Sequence, residues 1–460
     1  MRQIFFGWIL MLGFWSAPGH LWAQKTKILP PPSFSFKDGT QAVFMNILRA
    51  KTVLVLDVEN KTSEAITQIE FKTWEDGHPV FDLIPNPSEV SLNDEPIKTK
   101  VIDTPSRASK LRMMEPFVSA GTHILSVRHS LKAGLRFRRV QVSLGFWYSD
   151  LEDRKFLEQF LPTNLEFDTY ANTLRLKVVG TANAHVLFTN GTSKEIEFNE
   201  WEVSYPEFYN CASLFLHLGP VTEFQVMRTD FKSISGKSLP VTVYGKVDED
   251  VLLAFNSRAH EVLKELEKDY GAFPHAQMLI YANQSFQGGM EYAGATVTDL
   301  WALAHEITHS YFGRAVMPNG GNAGWIDEAV ASWRDSNYPR LEDPGFHQGN
   351  LASFSAYQRF TPSAAYTKGR NFIGYLDGKL AEKGKSMKAF LRHLLESQAF
   401  EPLSTPFFKK WVEEAYGDSL DDDFFQYVFN RDPNQWIDED VPPPSPYHPI
   451  LTQEQLDGLL

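Results

Sequence analysis

Residues 300–313 read LWALAHEITHSYFG, and this stretch predicts a buried helix that carries a metal site. His305 and His309 are four positions apart, so on an α-helix they share one face, one turn apart. Glu306 is turned by about 100° around the helix axis, so it would reach a bound water without being a ligand. Apolar residues surround the pair and favour burial. Two buried histidines need a shared partner, and a metal ion is one.

The pattern H-E-x-x-H fixes only three residues in five positions. It also occurs by chance, in roughly one chain in a hundred of this composition. The alternative is a core helix whose histidines bind no metal. Glu328, in the stretch GWIDEAVASWRD (324–335), weakens that alternative, because it follows His309 after eighteen intervening residues. Two imidazoles and one carboxylate form a common ligand set for catalytic Zn²⁺.

This spacing resembles that of the gluzincin metallopeptidases of the aminopeptidase N and leukotriene hydrolase type. Their third ligand lies in a W-L-N-E-G-F-A helix, and residues 325–331 (WIDEAVA) are similar. Residues 309–313 (HSYFG) are similar to the family's H-Q-W-F-G. The resemblance implies one Zn²⁺ per chain, held by three ligands, namely His305, His309 and Glu328. It also implies that Glu306 is the catalytic general base.

Two further motifs extend the resemblance. Residues 288–292 (GGMEY) are similar to the family's G-x-M-E-N, with Tyr292 in place of the usual Asn. This similarity implies substrate binding by the first four residues of the motif, Gly288, Gly289, Met290 and Glu291, with the Glu291 carboxylate on the free α-amine. Residues 366–369 (YTKG) match Y-x-K-G, which implies that the catalytic Tyr366 hydroxyl faces the oxyanion.

Two acidic positions outside these motifs are further candidates. Asp335 follows Glu328 by seven residues, two turns along the same helix face. It could orient a zinc-binding histidine, and an exposed helix acid is the alternative. Relatives take a second contact to the amine from their N-terminal region, for which the pair Glu158-Gln159 is the candidate here.

The periodicity of the chain divides it into two parts. Between about Lys51 and Val247, most segments alternate apolar and polar residues, as half-buried antiparallel strands do. One such segment should place four side chains on one face, namely Val140, Val142, Leu144 and Phe146. Residues 248–271 change to helical spacing, begin with acidic residues and end at Gly271.

We therefore expect a multidomain protein whose parts differ in secondary structure. The predicted parts are a signal peptide (1–23), a β-rich antiparallel domain (24–244), a mainly α catalytic domain (245–438) and a proline-rich tail (439–460). The resemblance implies that the catalytic domain is thermolysin-like, of the α+β class. It also leads us to expect no counterpart of the long C-terminal helical domain of many relatives.

The first residues predict export. Arg2 supplies a positive start, Ile4 to Trp15 is an apolar run too short to span a bilayer comfortably, and Ala23 precedes a plausible cleavage point. We expect a periplasmic or secreted protein without a transmembrane helix in the mature chain. An uncleaved membrane anchor is the alternative.

The composition is that of a globular protein, with 43% hydrophobic and 22% charged residues. A net charge of −13 disfavours nucleic acid as a partner, because phosphate backbones are repelled. The single cysteine, Cys211, cannot form an intramolecular disulfide. It lies among apolar residues, which predicts a buried small hydrophobic side chain.

The sequence thus predicts a zinc metallopeptidase, and specifically an aminopeptidase that releases N-terminal residues from peptides with a free N-terminus. One alternative is a zinc endopeptidase or another amide hydrolase with a more open cleft, because Tyr292 replaces the usual Asn. Another is a non-catalytic binding protein with the same fold. The intact set of ligands and general base weighs against this second alternative.

Overall fold

The computed structural model describes residues 33–429 with the exception of 37, 103–109, 150–154, 165–167, 286, 319–322 and 353–360. The predicted signal peptide and proline-rich tail lie outside the described residues. Within them, backbone hydrogen bonds form five sheets, and seven α-helices follow or interrupt the strands.

The N-terminal half is built from short and long strands. In chain order they are β1 (Phe34–Ser35), β2 (Gln41–Phe44), β3 (Asn46–Asp57), β4 (Thr62–Thr73), β5 (His78–Asp82), β6 (Pro87–Leu92), β7 (Glu95–Pro96), β8 (Thr99–Ile102), β9 (Leu111–Met114), β10 (Gly121–His129), β11 (Leu135–Arg138), β12 (Gln141–Gly145), β13 (Ala171–Val179), β14 (His185–Thr189), β15 (Thr192–Glu197), β16 (Glu200–Tyr205) and β17 (Leu216–Pro220). Short 3-10 helices occupy Leu157–Gln159 and Val221–Glu223.

Three mainly antiparallel sheets result. The largest has the order β15-β16-β13-β3-β4-β10-β6-β7, and the other two have the orders β1-β2-β5-β9-β8 and β11-β12-β17-β14. In β3 and β4 alternate side chains are buried, so the period-two pattern correctly predicts half-buried strands. Val140 is an exception, because it lies in the turn between β11 and β12 and is 57% exposed, whereas Val142, Leu144 and Phe146 are buried.

A further sheet supports the candidate site. Its strands are β18 (Gln225–Lys232), β19 (Ser238–Gly245), β20 (Met278–Ala282), β21 (Gly289–Tyr292) and β22 (Ala295–Thr298), in the order β18-β19-β20-β22-β21. β19 and β20 pair in parallel. This sheet therefore crosses the domain boundary predicted between residues 244 and 245, because β19 pairs with β20, which lies beyond it. The boundaries themselves stay predictions.

Helices dominate the rest of the described chain. They are α1 (Glu249–Tyr270), α2 (Leu303–His309), α3 (Ile326–Asp335), α4 (Lys368–Glu382), α5 (Met387–Gln398), α6 (Thr405–Tyr416) and α7 (Asp421–Tyr427), with a 3-10 helix at Ser363–Tyr366 and a two-stranded sheet of β23 (Met317–Pro318) and β24 (Pro402–Leu403). α1 ends at Gly271, which has a φ of 108°, as its sequence predicts. Among the described helices, none combines the length and apolar character needed to cross a bilayer.

One continuous apolar core joins the strands of the N-terminal half to the helices. Cys211 lies inside it, 3% exposed, as predicted. Burial raises the pKa of the Cys211 thiol to about 12, so this side chain is an inert part of the core rather than a nucleophile. The helices and the sheet around β21 are thereby held against the strands that complete the cleft.

Candidate active site

A cleft of about 910 Å³ opens between strand β21 and helices α2, α3 and α4. All ten residues predicted for the site line it, namely Gly288, Gly289, Met290, Glu291, His305, Glu306, His309, Glu328, Asp335 and Tyr366. The structure therefore brings the whole predicted set together, although their chemical roles stay predictions.

Three side chains converge on one point of the cleft. His305 and His309 project from α2, and Glu328 projects from the first turn of α3, which packs against α2. The Glu328 Oε2 atom lies 2.9 Å from His305 Nε2 and 3.4 Å from His309 Nε2. Donor atoms on a tetrahedral zinc ion are about 3.4 Å apart, given metal–ligand distances near 2.1 Å. The three side chains are therefore spaced as ligands of a single ion.

The ring nitrogens of His309 supply an independent test of this fit. His309 is 1% exposed; its Nδ1 has no hydrogen-bond partner among the described residues, and its Nε2 has only the ion-pair contact with Glu328 at 3.4 Å. A buried polar atom without a partner is costly. A cation bound at Nε2, next to Glu328, would satisfy this nitrogen. The donor set and its burial thus fit a zinc ion.

Asp335 orients the first of the two histidines. Its Oδ2 atom accepts a hydrogen bond of 2.6 Å from His305 Nδ1. This bond places a hydrogen on Nδ1 and directs Nε2 toward Glu328, so that loss of the Nε2 proton to a bound metal ion would leave the tautomer that binds a metal. Arg334 Nη1 donates to the other oxygen of Asp335 at 3.2 Å and fixes the carboxylate. The Asp335 side chain is 38% exposed, as the alternative of an exposed helix acid predicts, but its bond to His305 favours the orienting role.

The pKa shifts describe a site that attracts cations. Burial disfavours charge on His305, but its hydrogen bonds to Asp335 and Glu328 outweigh this effect and hold its pKa well above the usual range. Burial would also raise the pKa of Glu328, yet His309 and His305 hold it well below its usual value. The imidazoles act here as counter-ions to the carboxylate. A metal ion would take over this function.

Glu306 lies beside the three convergent side chains and is 4% exposed. Burial raises the pKa of its carboxyl to about 8; His305 opposes the shift and Glu291 adds to it. A cation bound by the three ligands would lower this pKa and favour the ionised carboxylate. Gly289 explains how Glu306 fits, since a Cβ at that position would lie 2.5 Å from Cγ and Cδ of Glu306. Gly289 therefore leaves the space that the Glu306 side chain occupies.

Glu291 lies in the cleft wall and is paired with a buried arginine, Arg314. Arg314 Nη2 donates to Glu291 Oε1 at 2.8 Å, and the two side chains are 0% and 4% exposed. Nδ1 or Nε2 of His309 and carboxylate oxygens of Glu291 and Asp327 lie within 4.8 Å of one another. The sequence analysis missed Arg314. In the sequence, Arg314 is a single arginine that follows Gly313 shortly after a predicted buried helix. No motif relates its position to that of Glu291.

Tyr366 and Tyr292 have different surroundings. The Tyr366 ring stacks on the His305 ring with centroids 6.2 Å apart, so its side chain borders the convergent ligands. Tyr292, which replaces the family's Asn, donates from its hydroxyl to the Phe146 carbonyl at 3.0 Å and accepts from the Tyr148 amide at 3.3 Å. Tyr292 thus ties β21 to the N-terminal half.

The contribution of the N-terminal half to the cleft was not found from the sequence. Among the described residues it consists of Trp147, Tyr148 and Ser149, which follow strand β12. Neither residue of the pair Glu158-Gln159, the candidate for a second contact to the amine, is among the residues that line the cleft; Glu158 is buried, and its Oε1 accepts from the Phe156 amide at 3.3 Å. A strand pattern does not reveal which strand end will meet the cleft.

No family model matches the sequence, and no curated protein matches it at a significant level. Solved structures do match. Leukotriene A4 hydrolase from Saccharomyces cerevisiae shares 15% identity with a TM-score of 0.61 over 81% of this chain and 65% of its own. An M1 zinc metallopeptidase from Deinococcus radiodurans shares 16% identity with a TM-score of 0.59, over 87% of this chain and 95% of its own.

Aminopeptidase A from Legionella pneumophila, solved with aspartic acid, shares 11% identity with a TM-score of 0.62 over 88% of this chain. This chain spans 51% of that protein and 65% of the yeast hydrolase, but nearly the whole of the Deinococcus protein. At these identities the likeness concerns the fold. This chain has the fold of the M1 zinc metallopeptidases and leukotriene A4 hydrolase, as its motifs predict.

Proposed function

We propose that this protein is a zinc-dependent aminopeptidase with a thermolysin-like catalytic domain, which binds one Zn²⁺ per chain and releases N-terminal residues from peptides. The observation that carries the proposal is the convergence of His305, His309 and Glu328 at ligand spacing beside a buried Glu306. The fold likeness to zinc peptidases supports the same reaction class.

The side chains of the cleft divide the reaction between them. Zn²⁺ held by His305, His309 and Glu328 would acidify a water molecule and polarise the scissile carbonyl. Glu306 accepts a proton from the attacking water at a carboxylate oxygen and returns it to the leaving amine. Tyr366 donates a hydrogen bond to the oxyanion, a contact whose loss typically costs about 10²–10³-fold in kcat.

Glu291 would set the position of the cut. Its carboxylate lies in the cleft wall near His309, where it can bind the substrate's ammonium group one residue from the scissile carbonyl. Matched peptides with free and acetylated N-termini test this role. The free peptide should be cleaved far faster, and Glu291→Gln should lower the advantage. Equal cleavage of both peptides by the zinc-loaded protein would overturn the aminopeptidase assignment and leave a zinc hydrolase.

The second candidate is a zinc endopeptidase, which one observation favours. Glu291 already has a buried cationic partner, Arg314, so its charge is at least partly neutralised before a substrate arrives. A peptide that places an uncharged group next to Glu291, instead of an ammonium group, would then bind better than it would in a site whose acid has no cationic partner. Internal cleavage of an acetylated, amidated peptide, identified by mass spectrometry, would establish this candidate.

We also propose that the protein is exported, on the basis of the signal-peptide pattern in residues 1–23. Expression of the full chain in a bacterium, followed by N-terminal sequencing of the periplasmic fraction, tests this. A mature N-terminus at Gln24 is expected. Recovery of the intact N-terminus in the membrane fraction would instead identify an uncleaved anchor.

A further inference from the structure

This inference rests on the proposed function and concerns which peptides the cleft accepts. Three arginines line the cleft, and they differ in how their charge is balanced. Arg258 pairs with Glu261 at 3.1 Å. Arg334 pairs with Glu265 at 2.6 Å. Each of these two guanidinium groups therefore has a carboxylate of its own.

Arg370 has no carboxylate partner within the described part of the chain. Its Nη1 atom donates to Ser336 Oγ at 3.3 Å, and its Nε atom donates to Asn371 Oδ1 at 3.1 Å. Both acceptors are neutral. Arg370 thus presents a full positive charge to the cleft, in a chain whose net charge is −13.

The position of Arg370 in its helix is locally unfavourable. It is the third residue of α4, whose first turn contains no acidic residue but does contain a second cation, Lys368. Positive charge near a helix N-terminus is repelled by the helix dipole. Lys368 is engaged elsewhere, since its Nζ donates to the Gln348 carbonyl at 3.1 Å. A residue whose charge destabilises the helix that carries it is expected mainly where function requires that residue.

The arrangement of the cleft determines which part of a bound peptide would lie near Arg370. Glu291 lies close to His309, at one end of the convergent ligands. Tyr366 stacks on His305, at the other end, and Ser336, which holds Arg370, follows the Asp335 that binds His305. A peptide whose amine meets Glu291 and whose carbonyl lies at the ligands therefore extends its remaining residues toward the His305 end, where Arg370 stands.

We propose that Arg370 binds a substrate carboxylate on the leaving-group side of the scissile bond and is a specificity-determining residue. A guanidinium offers a carboxylate two parallel hydrogen bonds. An extended peptide advances only about 3.3–3.6 Å per residue, so the C-terminus of a dipeptide or tripeptide comes within reach of the adjoining helix. The carboxylate can also be an acidic side chain. The favoured substrates are short or acidic peptides.

Three tripeptides separate the sources of the carboxylate: Leu-Gly-Gly, its C-terminal amide, and Leu-Asp-Gly amide. The zinc-loaded protein should hydrolyse the free acid with a kcat/KM about tenfold or more above that of the amide, mainly through KM. Restored turnover of the aspartyl amide would identify an acidic side chain as a second accepted source. Turnover at the level of the plain amide would restrict the site to the C-terminal carboxylate.

Arg370→Gln should bring the free acid and its amide to equal kcat/KM, and Arg370→Lys should keep part of the difference. Arg258→Gln is the matched control, because this arginine also lines the cleft but has its own carboxylate; it should keep the wild-type ratio. Equal turnover of acid and amide by the wild type, or an Arg370→Gln variant that keeps the ratio, would overturn the assignment.

Failure of the proposed function would look different. It would appear as no hydrolysis of any of the three peptides. Calorimetric binding of Leu-Gly-Gly and its amide to wild type and Arg370→Gln then still tests Arg370. Tighter binding of the free acid by the wild type alone supports the assignment. Equal binding of the two peptides, or no binding of either, contradicts it.

Discussion

Replacing Gly289 with alanine should cripple the enzyme while leaving its fold intact. The added Cβ would lie 2.5 Å from Cγ and Cδ of Glu306. Carbon atoms pack best at about 3.5 Å or more, so the Glu306 side chain would have to move by about 1 Å. A misplacement of that size costs about 10²-fold in rate, which corresponds to about 2.7 kcal/mol in activation free energy.

The assay is kcat/KM on a free-amine peptide with the zinc-loaded protein, together with the thermal midpoint. The atoms that the new methyl group meets belong to a flexible side chain, so we expect activity to fall about a hundredfold with a small change in the midpoint. Gly384→Ala is the control, because Gly384 does not line the cleft. Its Cβ would meet nothing within 4 Å, but its φ of 70° disfavours alanine, so stability should fall by about 1–3 kcal/mol with little loss of kcat. Full activity in Gly289→Ala would refute this account of Glu306.

Further predictions address Asp335, Arg314 and His275. Asp335→Asn should weaken zinc binding by about 10–100-fold, measured by competition with a chelator, because it orients His305 less well; unchanged affinity would remove Asp335 from the site. Arg314→Met should lower the free energy of unfolding in urea by about 3–5 kcal/mol, because Glu291 would lose its buried partner, and Arg314→Lys should lose less. Burial lowers the pKa of His275 to about 4, so the unfolded chain takes up a proton first: stability is complete above about pH 6.5 and is lost as the pH falls toward 4. Denaturation curves of wild type and His275→Gln across that range should converge at the acid end, and a constant difference would contradict the shift.

The sequence predicts those parts of the site that depend on local spacing. His305 and His309 share a face because a helix repeats every 3.6 residues, and α3 carries Glu328 and Asp335 on one face for the same reason. The distance from His309 to Glu328 along the chain required a family resemblance, because no local rule specifies how two helices meet. Strand alternation likewise predicts half-buried strands, as observed in β3, without tertiary information.

What could not be predicted depends on contacts between distant parts of the chain. Arg314 and Glu291 are 23 positions apart, and only the packing of β21 against the residues after α2 joins them. Trp147 and Tyr148 reach the cleft because the turn after β12 meets β21 through the Tyr292 hydroxyl. Alternation also indicates that β18 and β19 are strands without revealing that β19 pairs with β20. Val140 shows that alternation can also mislead. Its spacing places it on the buried face with Val142, but it lies in a turn and is exposed.

The central claim is that His305, His309 and Glu328 bind one zinc ion that works with Glu306 in hydrolysis. The most direct test measures bound metal and peptide hydrolysis together, on wild-type protein and on Glu306→Gln. We expect one zinc per chain in both proteins, hydrolysis of a free-amine peptide by the wild type that a chelator abolishes and zinc restores, and about 10²-fold or greater loss in Glu306→Gln. Zinc-free wild-type protein, or hydrolysis that survives either the chelator or Glu306→Gln, would contradict the account.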